Sequence, residues 1–546
     1  MIERPAGDEH ADVVIVGAGP TGLMLAAELR LAGVRPLVLE RRPRSRDVPK
    51  AGGLGGQILH LLHFRGLLEC FQAACTGPMP APRFPFGGVH LDFTGVQNPP
   101  MHALPLPQQV LERLLAERAE ELGVAVRRGH EVSALTQDES AARAEVLGPD
   151  GPYRVSARYV VGCDGARSRV REQAGIAFPG TTYPEVNRLA QVTLADEVTV
   201  LGNGDLEVPG SGVVRAGFTR TEHGLFGCGS APGSRSVSLY TAEDENADYD
   251  DDSPMTLTEL QDSVHRVLGA RLPIAGSTRL SRFTFSARQA EHYRQGRILV
   301  AGDAAHLFPA TGVALNAGLL DAVNLAWKLA AHLHGTAPDG LLDTYHAERR
   351  QAAARTLLHT RAQVALRRGH DQAAEALREL FTELLADEPA LRRLGALVAG
   401  GDIRHPMPGT GHHPLAGAFA PDLTLHTGQG VTSVAALMHA ARPVLLDLAG
   451  RPELHEIARA IAGDVVDVHE AKAADRDVDA LLIRPDGHVA WAAALDEPAG
   501  IATPALRTAL AAWFAAPGAA GSPNPPSTAT TRNGSPPAGA PLGDSR

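Results

Sequence analysis

Three glycines at fixed spacing, followed by a glutamate, are the residues of this chain best suited to bind a phosphate-bearing cofactor. Gly17, Gly19 and Gly22 form the pattern G-x-G-x-x-G. Such glycines allow a tight turn, let backbone N–H groups approach a pyrophosphate and let a helix pack closely on a strand. Glu40, about twenty residues further on, can accept a hydrogen bond from a ribose hydroxyl. The pattern predicts a dinucleotide site; the alternative is a turn that only packs a helix against a strand.

The segments around these residues predict a β-α-β unit. Asp12–Val16 is an apolar run typical of a strand, and a second strand is predicted over Pro36–Leu39. An apolar helical segment lies between them, and its N-terminus would offer partial positive charge to the phosphates. Pro20 and Thr21 open this helix, and Arg41 follows Glu40, so we assign all three to the predicted cofactor site.

Bulk composition excludes several classes of protein. The chain has 546 residues and a net charge of −11, which argues against a nucleic-acid-binding surface. Its four cysteines include no C-x-x-C pair and no metal-like spacing, so we expect no metal site. Neither a signal peptide nor a membrane-spanning run is evident in the sequence. We therefore expect a cytoplasmic monomer or homodimer that does not contact a membrane or nucleic acid.

Sequence periodicity predicts the remaining elements. Helices are expected over Ile58–Phe71, Val110–Leu122 and Ala314–His334. Short alternating strands dominate residues 181–290, such as Leu189–Leu194, Gly212–Arg220 and Ser236–Thr241. The segment DALLIRPDGHVAWAAA predicts a hairpin turning at Pro-Asp-Gly within a small C-terminal α/β unit. Residues 517–546 are rich in Pro, Ser, Gly and Thr, and we expect them to be disordered.

Three distant segments together resemble one enzyme family. GAGPTG with Glu40, YVVGCDGARSRVRE (159–172) and RILVAGDAAHLFPATGVALNAGLLDAVNLAWKLA (297–330) are similar to the group A flavoprotein monooxygenases. The resemblance is strongest to the phenol-hydroxylase, polyketide-hydroxylase and rifampicin-monooxygenase branch. It extends over about residues 11–395, and the C-terminal segment resembles the thioredoxin-like extension of the phenol hydroxylases but without redox cysteines.

The resemblance implies an α/β fold with a fixed domain order. A Rossmann-like FAD-binding domain would be discontinuous and would be interrupted by a mixed β-sheet substrate domain. A helical segment and a thioredoxin-like C-terminal domain would follow. The predicted boundaries are 1–180 with 291–395 for the FAD-binding domain, 181–290 for the substrate domain, 396–516 for the C-terminal domain and 517–546 for the tail.

The resemblance also assigns cofactor contacts beyond the glycine turn. Asp303 would bond the ribityl chain of FAD, Asp164 would lie near FAD and NAD(P)H, and Gln108 would contact FAD. Gly312 and Asn316 would lie at a helix start that stabilises charge on the reduced flavin. Alternatives are a capping role for Asp303, a solvated Gln108 and an ordinary helix N-cap for Asn316.

Two loops depart from the family pattern. Residues 311–316 read T-G-V-A-L-N and lack two glycines found in close relatives, and Val313 and Ala314 restrict the backbone where glycine would not. Residues 50–57 keep Lys50, which we assign to the cofactor site, but carry glycines where relatives have arginines. This loop could be mobile, or it could approach the cofactor closely.

The implied function is NAD(P)H-consuming hydroxylation of a small phenolic or polycyclic aromatic substrate by O2 through a flavin C4a-hydroperoxide. The substrate is expected to be a polyketide-type secondary metabolite. Alternatives are Baeyer–Villiger oxygenation of a polyketide ketone, antibiotic-inactivating hydroxylation and, from another class, a non-catalytic flavin-binding redox sensor.

Because the cofactor carries the chemistry, the sequence identifies no certain catalytic side chain. His223, His90, Phe308 and Pro309 are candidates for the substrate pocket. For each histidine the alternative is an ordinary loop or sheet residue. His306, close to Asp303, is expected to make a structural bond to a backbone group.

Overall fold

The computed structural model describes residues 9–45, 52–75, 83–230, 234–245, 249, 253–309, 312–369, 371–408 and 413–515. Lys50, Thr311 and the predicted disordered tail lie outside the described residues. Within the described part of the chain, no helix is both long enough and apolar enough to cross a bilayer.

The α-helices, in chain order, are α1 (Pro20–Leu31), α2 (Gln57–Phe64), α3 (Leu68–Ala73), α4 (Gln108–Glu121), α5 (Arg169–Gln173), α6 (Leu257–Leu268), α7 (Ala314–His334), α8 (Asp343–Arg368), α9 (Gln372–Leu385), α10 (Glu388–Ala399), α11 (Val434–Leu437), α12 (Pro452–Ala462) and α13 (Ala499–Phe514). Short 3₁₀ turns occupy Gly302–Ala304 and Gly463–Val465.

The strands, in chain order, are β1 (Glu9–Val16), β2 (Pro36–Glu40), β3 (Leu54–Gly55), β4 (Arg83–Phe86), β5 (Val89–Asp92), β6 (Ala103–Leu104), β7 (Ala125–Arg128), β8 (Glu131–Gln137), β9 (Ala142–Gly148), β10 (Gly151–Gly162), β11 (Gly180–Leu194), β12 (Thr199–Val200), β13 (Leu206–Val208), β14 (Gly212–Val214), β15 (Gly217–Thr221), β16 (Gly224–Ser230), β17 (Ser236–Asp244), β18 (Ile274–Gln289), β19 (Arg294–Gln295), β20 (Ile298–Val300), β21 (His306–Leu307), β22 (Thr424–Thr427), β23 (Gly430–Ser433), β24 (Val444–Asp447), β25 (Asp467–Glu470), β26 (Val478–Ile483) and β27 (Val489–Ala494).

A parallel sheet forms the centre of the first architectural unit. Strands β20, β10, β1, β2 and β7 lie side by side in that order and run parallel. The apolar runs of β20, β10, β1 and β2 are buried on both faces, as parallel strands require, whereas β7 at the edge of this order is only partly buried. Helices α1, α2, α4 and α7 cover one face around a large apolar core, while β8 and β9 fold over the other face. The carboxyl ends of β1, β10 and β20 lead directly into the turns that carry Gly17, Asp164 and Asp303.

A second, largely antiparallel sheet has the order β15-β16-β17-β11-β18-β21. Alternate residues on one of its faces pack against α6 around Val192, Phe226 and Leu239. We call the opposite face, defined by Asn187 and Tyr240, the open face. Because β21 follows the Asp303 turn by only two residues, this sheet begins beside the turn that ends β20.

A four-stranded sheet in the order β25-β24-β26-β27 forms the C-terminal unit. Strands β26 and β27 pair antiparallel across the Pro-Asp-Gly turn, so the predicted hairpin is confirmed. A fully buried ion network joins this unit to the first one. Arg484 pairs with Glu348 of α8 at 2.7 Å, and Glu348 also pairs with Lys328 of α7 at 2.7 Å.

The predicted elements are mostly confirmed, with two corrections. Helix α7 has the predicted bounds. The single helix expected over Ile58–Phe71 is wrong, because a turn separates α2 from α3. Gly66 adopts a φ of +66° there, and the Arg65 guanidinium is used in a buried ion pair with Glu28. The predicted strand Gly212–Arg220 is also wrong, since β14 and β15 belong to different sheets.

Candidate functional site

The glycine turn between β1 and α1 is packed so tightly that two of its glycines cannot be replaced without strain. A Cβ on Gly22 would lie 2.0 Å from the carbonyl oxygen of Gly17. One on Gly17, whose φ is +108°, would lie 2.4 Å from the carbonyl oxygen of Cys163. A Cβ on Gly19, by contrast, would meet no atom within 4 Å. The turn is therefore packed against protein backbone at Gly17 and Gly22, and it has free space beside Gly19.

Helix α1 begins at this turn with donors available. Its N-cap is Gly19, no side chain caps it, and Pro20 occupies the first helical position. The first N–H groups of a helix have no intrahelical partners, and they make its N-terminus attractive to anions. Thr21 Oγ1 faces the backbone of Gly302 and Gly318, where added Cβ atoms would lie 2.7 and 2.5 Å away. Thr21 thus brings the glycine turn against the Asp303 turn and α7.

Glu40 ends β2 with both carboxylate oxygens turned toward this region. Oε2 accepts a hydrogen bond from the Ala18 N–H at 2.9 Å, and Oε1 accepts one from the Arg42 N–H at 2.9 Å. Each oxygen keeps a further lone pair for a ligand hydroxyl. Arg41 is exposed beside it.

Gln108 lies at the start of α4, and its side-chain amide donates to Glu112 at 2.7 Å. Burial raises the pKa of Glu112, and the carboxylate of Glu40 is close enough to contribute in the same direction. The predicted Gln108 and Glu40 therefore belong to one neighbourhood. Glu112, which the sequence analysis did not select, lies between them in this charge cluster.

Asp164 follows β10 and carries a buried oxygen without a hydrogen-bond partner. Its Oδ2 accepts from the Val170 N–H at 3.2 Å, whereas Oδ1 accepts no hydrogen bond from the described residues. Burial raises the pKa of this carboxyl group. A buried acceptor of this kind is costly unless a ligand or water donates to it.

Arg171 joins the Asp164 loop to the Asp303 turn, and the sequence analysis did not select it. Its buried guanidinium donates to the Ala304 carbonyl at 3.0 Å and to the Ala166 carbonyl at 3.2 Å. The guanidinium also lies over the Phe178 ring, with Cζ 3.9 Å from the ring centroid, in a cation–π contact. Residues 159–172 contain several arginines, and the sequence does not indicate which of them is buried.

A buried carboxylate, Asp321 of α7, fixes the turn that presents Asp303. Asp321 Oδ2 accepts from the Gly302 N–H at 3.0 Å and is 2.6 Å from His306 Nε2, while Oδ1 accepts from Arg349 Nε at 2.7 Å. Burial would raise the pKa of Asp321, but the interactions with His306 and Arg349 hold the pKa below its usual range. Asp303 itself is exposed at this turn.

The bond predicted from His306 to a backbone group is therefore wrong, because its Nε2 pairs with the Asp321 carboxylate. His306 Nδ1 is buried and has no hydrogen-bond partner among the described residues. The ring stacks on Phe308 with centroids 4.7 Å apart. A carboxylate fifteen residues away in sequence, on helix α7, could not have been identified from the local motif.

Asn316 uses its side chain to tie the glycine loop after residue 51 to the start of α7. Its Oδ1 accepts from the Gly55 N–H at 3.2 Å, and its Nδ2 donates to the Gly312 carbonyl at 2.9 Å. Val313, not Asn316, is the N-cap, so the N-cap alternative is wrong. Gly55 also belongs to β3, which pairs with β6. The described part of this loop is therefore hydrogen-bonded both to α7 and to β6.

Phe308 and Pro309 are buried at the edge of an apolar cluster that includes the β4–β5 hairpin. The Phe84 ring lies 3.6 Å from the position that a Cβ on Gly312 would take. Phe86 stacks on His359 of α8, with centroids 6.4 Å apart. The hairpin thus runs from the start of α7 along α8.

The open face of the six-stranded sheet lies on the side opposite α6. Tyr240 donates to Asn187 on this face, and Phe218 makes an edge contact with the Tyr240 ring at 5.9 Å. Phe283 and Phe285 of β18 contact each other at 5.4 Å. The face therefore combines aromatic surface with a few polar groups, which is typical of a small-molecule site. The alternation of these strands was predictable, but not which of their residues meet.

The two candidate histidines are not brought to this cluster. His223 is exposed at the turn between β15 and β16, the sheet edge farthest from β21. His90 lies on the exposed side of β5, whereas Val89 and Leu91 point into the apolar cluster. Among the described residues, no group of three or more His, Cys, Asp or Glu side chains could hold a metal ion.

Comparison with known proteins identifies two matching family models. Residues 10–360 match a model described as an FAD binding domain, and residues 413–517 match one described as the C-terminal part of aromatic-ring hydroxylases. A 12-dehydrotetracycline 5-monooxygenase/anhydrotetracycline 6-monooxygenase of Streptomyces rimosus is 43% identical over 515 residues, covering 93% of this chain and 99% of the relative.

Two further relatives widen the range of reactions. A dialkyldecalin synthase of Streptomyces rugosporus is 39% identical over 508 residues, covering 92% of this chain and 98% of the relative. The solved structure of an anhydrotetracycline hydroxylase from Streptomyces rimosus has a TM-score of 0.81 at 42% identity. It covers 92% of this chain and 99% of that one.

Proposed function

The chain belongs to the FAD-dependent aromatic-ring hydroxylases, and from that premise we propose that its substrate is a fused-ring phenol of the polyketide type. It is an FAD-dependent monooxygenase, with O2 and NAD(P)H as co-substrates and an aromatic compound as substrate. The proposal concerns the finer questions of which residues hold the cofactor and what kind of ring system the protein accepts.

The residues of the glycine turn fit the diphosphate half of FAD. Gly19 leaves open space beside uncapped N–H groups of α1, as a pyrophosphate requires. The carboxylate of Glu40 has acceptor capacity left for ribose hydroxyls. The predicted contacts from Pro20, Thr21 and Gln108 are consistent with this arrangement, because all three surround the same turn and its neighbouring helix.

The residues at the ends of β10 and β20 fit the ribityl and flavin half. Asp164 Oδ1 needs a donor that the described residues do not supply, and Asp303 is presented on a turn fixed by Asp321. When bound and reduced, the flavin activates O2 and supplies the oxygen atom that enters the ring. Helix α7 starts without a side-chain cap, so the N–H groups of its first turn can stabilise negative charge near them.

The surrounding residues orient the substrate and exclude water. Phe308, Pro309 and Phe84 form an apolar wall beside the start of α7, where water would compete with the reaction. The open face supplies an aromatic floor on which a flat ring system can lie. The polar Tyr240–Asn187 pair can fix the orientation of a ring oxygen.

The observation that carries the substrate proposal is the open face itself. The sheet that carries this face spans five strand spacings, roughly 24 Å, from β21 beside the Asp303 turn to β15. Part of that width is covered, because Asn187 and Phe285 are buried and Arg367 of α8 lies over the Phe285 ring. A single phenol ring would occupy only a small part of this surface. Two of the relatives described above are named for 12-dehydrotetracycline or anhydrotetracycline, whose rings are fused.

We also propose the domain division predicted from sequence. The six-stranded sheet, which starts at Gly180, supports a substrate domain over residues 181–290, and the four-stranded sheet supports a separate C-terminal domain. The buried pairs of Arg484 with Glu348 and of Glu348 with Lys328 would hold that domain against the FAD-binding domain.

Substrate-stimulated NADPH oxidation tests the substrate proposal. We expect anhydrotetracycline and anthraquinone-type phenols to accelerate NADPH consumption by the FAD-loaded protein and to yield oxygenated products, whereas phenol does so weakly. An equal or stronger response to single-ring phenols would overturn the proposal. Formation of an isomer without added oxygen would instead indicate ring-forming chemistry of the kind named for the dialkyldecalin synthase.

A further inference from the structure

Arg220 is a partly buried arginine whose guanidinium has no acceptor among the described residues. It lies on β15, and its Nε and Nη2 atoms are inaccessible to solvent and make no hydrogen bond with the described residues. Arg367 and Arg368, which also carry an unsatisfied nitrogen, each have a carboxylate partner, Glu185 and Asp244 respectively. Arg220 therefore differs from Arg367 and Arg368, because it has no carboxylate partner among the described residues.

The charges nearest to Arg220 do not satisfy it. Burial lowers its pKa, and the neighbouring Arg378 acts in the same direction. The carboxylate of Glu375 is close enough to oppose this effect, but it already accepts from Arg378 Nη2. A buried donor without an acceptor costs about 1–3 kcal/mol, and more when the group is charged. An acceptor from outside the chain would remove that cost.

Arg220 lies beside the turn of the β4–β5 hairpin, at the end away from the start of α7. Its Nη2 would be 2.5 Å from a Cβ on Gly88, whose φ is +96°. Phe84, at the other end of the hairpin, lies against Gly312 at the start of α7. Four residues of extended chain reach roughly 13 Å. A rigid ligand running along the hairpin could therefore be near the flavin at one end and near Arg220 at the other.

The same face of the sheet defines the body of that ligand. Arg220 and Phe218 are two residues apart on β15 and so point to one side, and Phe218 contacts Tyr240. This side is the open face. The ligand is then flat and aromatic in its middle and needs hydrogen-bond acceptors only at its far end.

We propose that Arg220 binds an anionic oxygen, such as an enolate, phenolate or carboxylate, at the end of the fused-ring substrate farthest from the flavin. A guanidinium offers paired donors to such a group and keeps its charge at all working pH values. This inference rests on the proposed function, because it specifies one end of the substrate for the same site. It makes Arg220 a residue that determines specificity and not one that takes part in oxygen transfer.

A phosphate of NAD(P)H is a second possible source of anionic oxygen at this position. The two sources make different predictions, because an Arg220 variant would change substrate affinity in one case and the KM for NADPH in the other. We favour the substrate, since Arg220 shares its face with Phe218 and Tyr240 and lies five strand spacings away from β21.

The test uses a matched pair of probes, anthracene-2-carboxylate and anthracene-2-carboxamide, titrated into the FAD-loaded protein and followed by the flavin absorbance spectrum. We expect wild type to bind the carboxylate more tightly than the amide. Arg220→Met should weaken carboxylate binding by about 10- to 100-fold, as expected for a hydrogen bond to a charged group, and leave amide binding nearly unchanged. Arg220→Lys should retain part of the preference. Arg271→Gln, which removes an exposed arginine beyond α6, should behave as wild type.

Three results would overturn the proposal: equal affinity of wild type for the two probes, a preference that survives in Arg220→Met, or a rise in the KM for NADPH with probe binding unchanged. The FAD content of each variant reports folding, and if Arg220→Met loses FAD the wild-type preference and the Arg220→Lys variant still decide. Because these are binding measurements, they are separate from product formation. A chain that hydroxylates no fused-ring phenol but shows the Arg220-dependent preference would contradict the proposed function alone.

Discussion

The nucleotide end and the substrate end of the proposed site are built in different ways. At the nucleotide end, backbone packs on backbone: a Cβ on Gly22 would lie 2.0 Å from the Gly17 carbonyl oxygen, and Glu40 accepts from two backbone N–H groups. At the substrate end, side chains from separate strands form an aromatic face, and the Arg220 guanidinium has donors to spare. The first end leaves almost no freedom for sequence change, whereas the second leaves polar groups for a ligand to satisfy.

This difference suggests how one scaffold can serve several substrates. A pyrophosphate is the same in every relative, so a fixed backbone turn suffices for it. A substrate is recognised by side chains on a preformed sheet, and these can change without altering the strands that carry them. We therefore expect substitutions at the nucleotide end to abolish cofactor binding and those at the substrate end to change selectivity.

The largest effect is expected for Gly22→Ala. A methyl group 2.0 Å from the Gly17 carbonyl oxygen forces the α1–β1 turn apart, and overpacking of this kind costs several kcal/mol. We expect the purified variant to lack FAD, measured from its absorbance at the flavin bands.

Gly19→Ala is the matched control, because its Cβ would meet no protein atom. The variant should fold with wild-type thermal stability in the absence of FAD, and only its affinity for FAD should fall. Equal loss of apoprotein stability in both variants would contradict the distinction between the packed and the open side of the turn.

A smaller but still large effect is expected for Asp321→Asn. The substitution leaves the buried Arg349 without its carboxylate and weakens the bond that fixes the Gly302 N–H. Breaking a buried pair in this way costs about 3–5 kcal/mol. We expect a corresponding loss of unfolding free energy in urea and weaker FAD binding. The control variant Asp343→Asn, which removes an exposed partner of Arg294, should leave stability nearly unchanged. Equal stability of the two variants would contradict the structural role of the buried Asp321.

An acid-dependent loss of stability is expected where His359 of α8 packs against the β4–β5 hairpin. Burial lowers the pKa of His359, which stacks on Phe86, to about 4. Because the unfolded histidine titrates near 6.5, the folded protein binds fewer protons between these values, and stability should fall as the pH drops from about 6.5 to 4. The linked loss is at most about 3 kcal/mol.

Unfolding free energies measured across this pH range should show a shallower acid slope in His359→Phe than in wild type. His223→Gln, at the exposed turn between β15 and β16, should keep the wild-type slope. An identical slope in wild type and His359→Phe would show that His359 does not titrate as its packing against the hairpin implies.

The smallest effect is expected for Asn316→Ala. It removes the acceptor for the Gly55 N–H and the donor to the Gly312 carbonyl, each worth about 1 kcal/mol. We expect faster hydrogen exchange in residues 52–57 with little change in global stability. Asn316→Asp keeps the acceptor and should protect Gly55 better than alanine does. Unchanged exchange in Asn316→Ala would mean that the β3–β6 pairing alone holds this loop.

The part of the site that sequence reveals is the part made by short, local segments. The glycine turn with Glu40 and the bounds of α7 were predictable, because turn chemistry and helical periodicity are written in consecutive residues. Asp321 was not selected, since its role depends on α7 returning beside the Asp303 turn. Arg65 shows the same limit, because its buried pair with Glu28 joins residues 37 positions apart and periodicity within one segment does not predict it.

The open face illustrates why substrate residues resist prediction. Asn187 and Tyr240 lie on different strands, and Arg220 Nη2 lies against Gly88, on a hairpin more than a hundred residues earlier. His223 and His90 were selected by residue type, which carries no information about such long-range pairing. Their exposed positions leave them outside the cluster that surrounds the proposed flavin site.

The most direct test of the account is the fate of molecular oxygen. FAD-loaded protein would be incubated with NADPH, anhydrotetracycline and ¹⁸O₂, and the product analysed by mass spectrometry. The account predicts a hydroxylated product that carries one labelled oxygen atom and requires both NADPH and FAD. A product without the label, or an isomer formed without NADPH, would contradict it.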